Sequence, residues 1–343
     1  MKDGKIAFGI VGVGYIGHRH IAMIDADAET TCVAVADILP RENIDIRPEL
    51  PLYSDLTTML AAHPEIDVVS ICTPNGLHAA MCIEALQAQK NVLVEKPLAL
   101  SVADAVRIGQ AEAKSKGRVF SVFQNRYTPT SEWIKQVVTD GTLGTIRQVN
   151  VNCMWNRDER YYKGGWHGTA DMDGGTLFTQ FSHYIDILLW LVGDIDILNA
   201  TFADYAHSES TDFEDTGAVI FKTRKSDAIG TLTYTTAIPD QNFESSIILV
   251  GSRGTVEVGG QYMSDVKQCN ISGYTMPTLA APNPPNDYGA YKGSAANHCY
   301  VIRNVADVLL RGAKPTADYA DGLRVVQTIE NIYKFRTGDY YRH

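Results

Sequence analysis

The 343-residue chain has no apolar run approaching the roughly 20 consecutive residues that a membrane-spanning helix needs, so no span is expected. Its opening residues, MKDGKIAFGIVGVG, lack the charged-then-apolar layout of an export signal and read as entering a strand directly. Positive charge is scarce. Against 40 Asp and Glu there are 30 Lys and Arg, and the formal charge of −10 argues against a nucleic-acid or anionic-membrane partner. Cysteine is sparse as well, with six residues and no pair at a metal-site or disulfide-framework spacing. Cys32 and Cys72 fall inside apolar runs, so reduced thiols and a cytoplasmic location are expected. Internal repeats and low-complexity tracts are missing too. What is present is an ordinary globular composition, 45% hydrophobic and 20% charged, over a length that implies two domains.

Residues 5–11, KIAFGIV, read as a strand, and GVGYIG follows with Gly12, Gly14 and Gly17 in G-x-G-x-x-G spacing. The next apolar run, CVAVAD, ends at Asp37. A strand, a glycine turn opening a helix, and an acidic residue about 20 positions on together predict a dinucleotide-binding unit. Gly12 would make the tight turn, Gly14 would let a pyrophosphate approach, and Gly17 would let the helix pack on the strand. Tyr15 and Ile16 open that helix, whose start offers unpaired N–H groups and a positive dipole end to phosphate. Asp37 suits the two ribose hydroxyls. Ile38 brings no arginine for a 2′-phosphate, so NAD is expected rather than NADP.

The alternation continues through DVVSICTP (67–74), a helix from Asn75, NVLVEKP (91–97), a helix opened by Ser101 and Asp104 at capping-box spacing, and RVFSVFQNR (118–126). It predicts a doubly wound parallel sheet with ligands at the carboxyl ends of its strands. Those ends carry Thr73, Pro74 and Asn75 with His78 close behind, then Glu95 and Lys96, then Gln124, Asn125 and Arg126. Thr73, Pro74, Asn75, His78, Glu95, Lys96 and Gln124 are the expected cofactor contacts beyond the glycine turn, Asp37 and Ile38. Lys96 should point away from Glu95, because side chains alternate along a strand, and Pro97 fixes the backbone after it.

From about residue 145 the pattern changes. RQVNVNCMW places Val149, Val151, Cys153 and Trp155 on one face, and TGAVIFKT, IGTLTYTTAI, SSIILVG and GTVEVGG follow with glycine-rich turns. Short strands in succession predict an antiparallel or mixed sheet. The expected domains are 1–125 and 126–343, with helices near 294–312 and 317–337 able to pack back on the first, and a loop over 276–293. A helix is also expected over 174–193, with Leu177, Phe178, Phe181, Ile185 and Leu188 on one side and His183 at the centre of the other, beside Thr179, Gln180 and Asp186. Ahead of it, NRDERYYKGGWHG gathers Arg157, Arg160, Tyr161 and Trp166. Guanidinium forks suit an acidic or phosphorylated group and rings suit a sugar face. His167, Asp171, Asp173 and His183 fit no paired ligand spacing, so no metal is expected.

GVGYIG near the start, VEKP after the fourth long strand, and GG-x-L…H-x-x-D in the β-rich half together resemble the glucose–fructose oxidoreductase / inositol dehydrogenase (Gfo/Idh/MocA) family over essentially the whole chain. The resemblance implies an α/β protein: a Rossmann domain, then an α/β domain with a large open, mostly antiparallel sheet often used to form a homodimer or homotetramer. It also implies that Lys96 and His183 sit by the nicotinamide. Many members carry Asp and Gly where this chain has Thr179 and Phe181. The run NVNCMWNRDERYY…SHYID, with QNR at 124–126, is most similar to the UDP-N-acetylglucosaminuronate 3-dehydrogenases of bacterial surface-polysaccharide synthesis. His167 stands where that subgroup implies arginine, and Ala170 where it implies an aromatic. Relatives in the subgroup can recycle their cofactor with 2-oxoglutarate.

The expected function is NAD-dependent oxidation of a sugar hydroxyl, at C3 of a UDP-N-acetylhexosaminuronate. The alternatives are a dehydrogenase of a free sugar or cyclitol, and a non-catalytic NAD-binding regulator. His183 would act as base and Lys96 would steady the developing oxyanion. Asn125, Arg126, Arg157, Arg160, Tyr161, Trp166, Thr179 and Gln180 join these two as expected substrate contacts.

Overall fold

A computed structural model of the chain describes residues 4–287 and 292–336. These divide into two compact units, one of residues 4–123 and 298–326, the other of residues 124–297 and 327–336 apart from the undescribed stretch.

The first unit alternates strand and helix: β1 (Ile6–Val11), α1 (Tyr15–Ala26), β2 (Thr30–Ala36), β3 (Leu52–Tyr53), α2 (Leu56–Ala62), β4 (Val68–Ile71), α3 (His78–Gln87), β5 (Asn91–Val94), α4 (Val102–Glu112) and β6 (Val119–Ser121). The six strands are parallel, in the order β3-β2-β1-β4-β5-β6. Every residue of β1 and β4 is buried, as expected for strands covered by helices on both faces. Ser101 caps α4 by accepting the Asp104 N–H at 3.0 Å. The strand expected over 118–126 is shorter: β6 stops at Ser121, and Gln124–Tyr127 form a 3-10 turn.

The second unit contains α5 (Pro129–Thr139), β7 (Ile146–Met154), α6 (Glu159–Tyr162), α7 (Thr176–Thr179), α8 (Ser182–Val192), and strands β8 (Ile195–Ala203), β9 (Thr216–Thr223), β10 (Ile229–Thr235), β11 (Glu244–Gly251), β12 (Gly254–Gly259) and β13 (Asp265–Ile271). They form a seven-stranded sheet in the order β13-β12-β11-β7-β10-β9-β8, antiparallel except for the β7–β10 pair. Val149, Val151, Cys153 and Trp155 are buried together. The intervening Asn150 and Asn152 turn the other way and accept hydrogen bonds from Thr231 and Thr233 across the parallel pair, at 3.0 and 2.7 Å. Within the expected 276–293 loop, a short strand β14 (Pro285–Asp287) pairs with β15 (Lys292–Ala295). Residues 288–291 lie outside the described residues.

After β15 the chain forms α9 (His298–Arg311) and α10 (Tyr319–Tyr333). In the first unit α9 lies against α1, and Arg303 reaches Asp27 just past that helix at 3.1 Å. Residue 337, at the end of the second expected helix, lies outside the described residues.

The single helix expected over 174–193 is two. Phe181, at φ −115° and ψ 5°, separates α7 from α8. Anchors on both sides of the junction explain the break. The Gln180 side chain is held by Arg157 and Tyr161, and the Phe181 ring packs edge-on against Trp155 at 5.5 Å. The expected polar face is also absent, since every residue of α8 except Trp190 is buried. Among its polar side chains, Asp186 is paired with Arg126.

Candidate active site

In the first unit the glycine turn has the shape a dinucleotide requires. Gly12 sits at φ +86°, and a Cβ there would lie 2.7 Å from the Cys72 carbonyl oxygen. A Cβ on Gly17 would lie 2.1 Å from the Gly12 oxygen, so the helix can meet the strand only without a side chain. Gly14 is exposed, with nothing within 4 Å of the position its Cβ would take. It begins the 12-residue α1 with no side-chain cap, leaving the first N–H groups to an anion. Asp37 accepts the Val13 N–H at 2.6 Å and the Leu39 N–H at 2.9 Å, fixing its carboxylate beside the turn. Tyr15 and Ile38 are 72% and 93% exposed on either side. Ile16, Thr73 and Pro74 are half-buried and Asn75 is buried. These residues fit NAD.

Three buried histidines, His78, His20 and His298, gather at the strand ends next to this turn. His78 is enclosed, with Nδ1 2.7 Å from the Pro97 carbonyl and Nε2 2.9 Å from the Thr73 carbonyl, and burial lowers its pKa. His20 Nε2 lies 3.0 Å from Glu95 Oε1, and its Nδ1 lies 2.7 Å from Ser70 Oγ. His298 Nε2 approaches the same Glu95 oxygen at 3.4 Å. Lys96 is half-buried and donates its backbone N–H to Glu95 Oε2 at 3.2 Å. Glu95 is buried, and its carboxylate is engaged with His20 and the Lys96 N–H rather than left free for a cofactor. Burial alone would lower the His20 pKa, but Cys72 and Glu95 outweigh it and raise it to about 10. Burial would raise the Glu95 pKa, but the two histidines hold it well below the usual carboxylate range. Neither His20 nor His298 stood out in the sequence, because nothing local marks them as partners of Glu95.

The second unit gathers most of the expected substrate contacts. Arg157 is buried. Its Nε donates to Gln180 Oε1 at 2.8 Å, and its guanidinium lies 4.7 Å from the centre of the Trp155 ring and 5.2 Å from that of Tyr161. Gln180 Nε2 donates to the Tyr161 hydroxyl at 2.7 Å. Tyr161, His167 and Trp166 stack in succession, at 4.2 and 3.8 Å between ring centres. Asn125 is buried, and neither polar atom of its amide has a hydrogen-bond partner among the described residues. Gln124 Nε2 donates to Ser294 at 3.2 Å. Thr179, standing where many relatives carry Asp, hydrogen-bonds the buried carboxylate of Asp173. His183 is 3% exposed on the first turn of α8.

Two expected contacts have other partners. Arg126 and Asp186 are 3% and 1% exposed and pair through both guanidinium and carboxylate edges, at 2.9 and 2.5 Å. Arg160 is exposed and pairs with its neighbour Asp158. Among the described residues, the one set of His, Cys, Asp and Glu close enough to share a metal ion is His20, Glu95 and His298, not the residues near His183. No described helix is long and apolar enough to cross a membrane.

Residues 6–124 match the oxidoreductase family, NAD-binding Rossmann fold, and residues 132–257 match the GFO/IDH/MocA C-terminal domain. Among solved structures, the chain is similar to the WlbA dehydrogenase of Bordetella pertussis in complex with NADH and UDP-GlcNAcA. The two are 31% identical, the match covers 96% of each chain, and the TM-score is 0.85. The inositol 2-dehydrogenase of Rhizobium meliloti is 26% identical over 285 residues, 80% of this chain and 82% of its own. The 2,7-anhydro-N-acetylneuraminate hydratase of Escherichia coli is 27% identical over 348 residues, 92% of this chain and 89% of its own. The glycine turn, the parallel sheet and these matches agree: the chain is an NAD-binding oxidoreductase of the Gfo/Idh/MocA family.

Proposed function

We propose that the protein oxidises a secondary hydroxyl of a nucleotide sugar, at C3 of a UDP-N-acetylhexosaminuronate, as a cytoplasmic homo-oligomer in surface-polysaccharide synthesis. The observation that carries the reading is the end-to-end similarity to an enzyme whose structure holds NADH and UDP-GlcNAcA. NAD, when bound, supplies the hydride acceptor. The chain's own part is to hold the sugar and move the hydroxyl proton. His183 takes that proton; an imidazole nitrogen suits the task of general base. Lys96 donates a hydrogen bond to the same oxygen and offsets the charge that develops there. The unsatisfied amide of Asn125 suits a polar substrate group in a buried setting, where an unmet donor and acceptor are costly. Arg157, already oriented by Gln180 and two rings, suits a carboxylate or phosphate. Tyr161 and Trp166 offer ring faces to a sugar. Arg126, neutralised by Asp186, is left with a structural role.

The test is direct. Purified protein is mixed with NAD and UDP-N-acetylglucosaminuronate, and reduced-nicotinamide absorbance is followed. Because the equilibrium can oppose accumulation, 2-oxoglutarate is added in parallel and 2-hydroxyglutarate assayed. Signal in either form supports the reading, and silence in both removes it. The inositol dehydrogenase relative favours a second reading, a cyclitol or free-sugar dehydrogenase. Turnover of inositol without turnover of the UDP-sugar would select it.

A further inference from the structure

Glu95 precedes the proposed oxyanion donor, yet its carboxylate points into the first unit. Three other elements converge on it there: α1 through His20, β4 through Ser70 behind His20, and α9 through His298. The imidazole rings of His20 and His298 meet edge to face, 5.5 Å apart. All four side chains are buried. Such a group of titratable residues is expensive to keep dry unless its charges cancel and its hydrogen bonds are met. Here one carboxylate oxygen lies between two imidazoles, 3.0 Å from His20 and 3.4 Å from His298. His20 hydrogen-bonds on both sides, with Glu95 and with Ser70. The other carboxylate oxygen receives the Lys96 N–H, and His78 holds the Pro97 carbonyl one residue on. The Lys96 peptide is therefore gripped from both sides at the point where the chain leaves β5.

We propose that Glu95, held by His20 and flanked by His298, is the positioning residue for Lys96: it sets the backbone from which the lysine reaches its reacting oxygen. The catalytic consequence rests on the dehydrogenase reading. The arrangement itself does not, which allows the two to be tested apart. A metal ion is the competing use of the same three side chains. The His20–Glu95 separation of 3.0 Å and the Ser70 contact tie two of the three side chains into a hydrogen-bonded chain, while neither ring nitrogen of His298 has a hydrogen-bond partner among the described residues, so metal content is measured in the test below.

The experiment compares wild type, Glu95→Gln, Glu95→Asp and Ser70→Ala as full-length protein with NAD. The first readout needs no substrate: the rate of Lys96 acetylation by an amine reagent, followed peptide by peptide, with Lys90 and Lys114 as internal references. A change of at least five-fold in Glu95→Gln, partly restored in Glu95→Asp and unchanged at the reference lysines, is expected. The second readout is turnover of the UDP-sugar or, failing that, inositol. kcat should fall at least ten-fold while KM for NAD stays within two-fold, and Ser70→Ala should shift kcat the same way by a smaller factor. If Glu95→Gln does not fold, Ser70→Ala carries both readouts, since it removes one hydroxyl and no charge. An unchanged labelling rate overturns the proposal. So does a loss of NAD binding equal to the loss of kcat, or a stoichiometric divalent cation in the wild type that disappears in His298→Asn. Altered labelling in a protein that turns over no alcohol upholds the positioning and removes the dehydrogenase reading.

Discussion

Replacing Asp186 with Asn probes the Arg126 pair, a charge contact enclosed in the second unit. Both side chains are almost fully buried and meet through two hydrogen bonds, at 2.9 and 2.5 Å. Removing one partner of such a pair strands the other charge in a low-dielectric setting, a cost of about 3–5 kcal/mol. Asn keeps the shape and one acceptor, so the low end, about 3 kcal/mol, applies to Asp186→Asn and the high end to Asp186→Leu. At about 2–4 °C per kcal/mol for a unit of this size, Asp186→Asn should lower Tm by about 6–12 °C. The guanidinium and the Lys135 ammonium lie 5.4 and 5.1 Å from the Trp190 ring centre, so tryptophan fluorescence during urea or thermal unfolding reports on the region. The double variant Arg126→Met/Asp186→Leu, which removes both charges, should recover to within about 1–2 kcal/mol of wild type. If Asp186→Asn costs under about 1 kcal/mol, the pair behaves as an exposed one and the reasoning is refuted.

Other outcomes follow from the same structure. The raised His20 pKa makes its contribution to stability complete below the unfolded value of 6.5 and lost as pH rises toward about 10. The lowered Glu95 pKa makes the carboxylate's contribution complete above the ordinary value of 4.5 and lost only at more acidic pH. A denaturation series from pH 6 to about 10 should therefore show declining stability that is flattened in His20→Gln; identical slopes would contradict the assignment. Gly17→Ala, whose methyl would press on the Gly12 oxygen, should weaken NAD binding at least ~10-fold by calorimetry. Unchanged affinity would mean that the turn is not the pyrophosphate site. Gln180→Ala releases Arg157 and Tyr161 together and should raise KM for an acidic sugar more than it lowers kcat. A pure kcat effect would move these residues out of the substrate's ground-state contacts.

What the sequence discloses and what it hides have physical reasons. The cofactor turn was legible because its chemistry is local: glycines at fixed spacing, a strand before them and an acid one strand later all fall within 37 residues. The buried side of β7 was legible from its period of two. Helix α8 was legible as a helix, but its polar side, with His183 and Asp186, is buried as well, and Asp186 finds Arg126 from a distant turn. The break at Phe181 depends on Arg157 and Trp155, more than 20 positions away, and no local propensity announces it. Strand β3 is two residues long, and β8 and β13 carry polar residues on exposed faces, so none had a run to detect. The Glu95 cluster is the extreme case. Its members come from α1, the residue just after β5 and α9, and meet only in the folded unit.

The measurement that reaches the central claim most directly is a single-turnover comparison of wild type, Lys96→Met and His183→Asn, each loaded with NAD and mixed with UDP-N-acetylglucosaminuronate. The account predicts that wild type forms reduced nicotinamide, or 2-hydroxyglutarate when 2-oxoglutarate is present. Both variants should bind NAD normally and react at least ~100-fold more slowly, the scale expected when a general base or an oxyanion donor is lost. Variants within a few-fold of wild type would contradict the roles given to these two residues, and a wild type that binds NAD yet reduces none of it would contradict the proposed reaction.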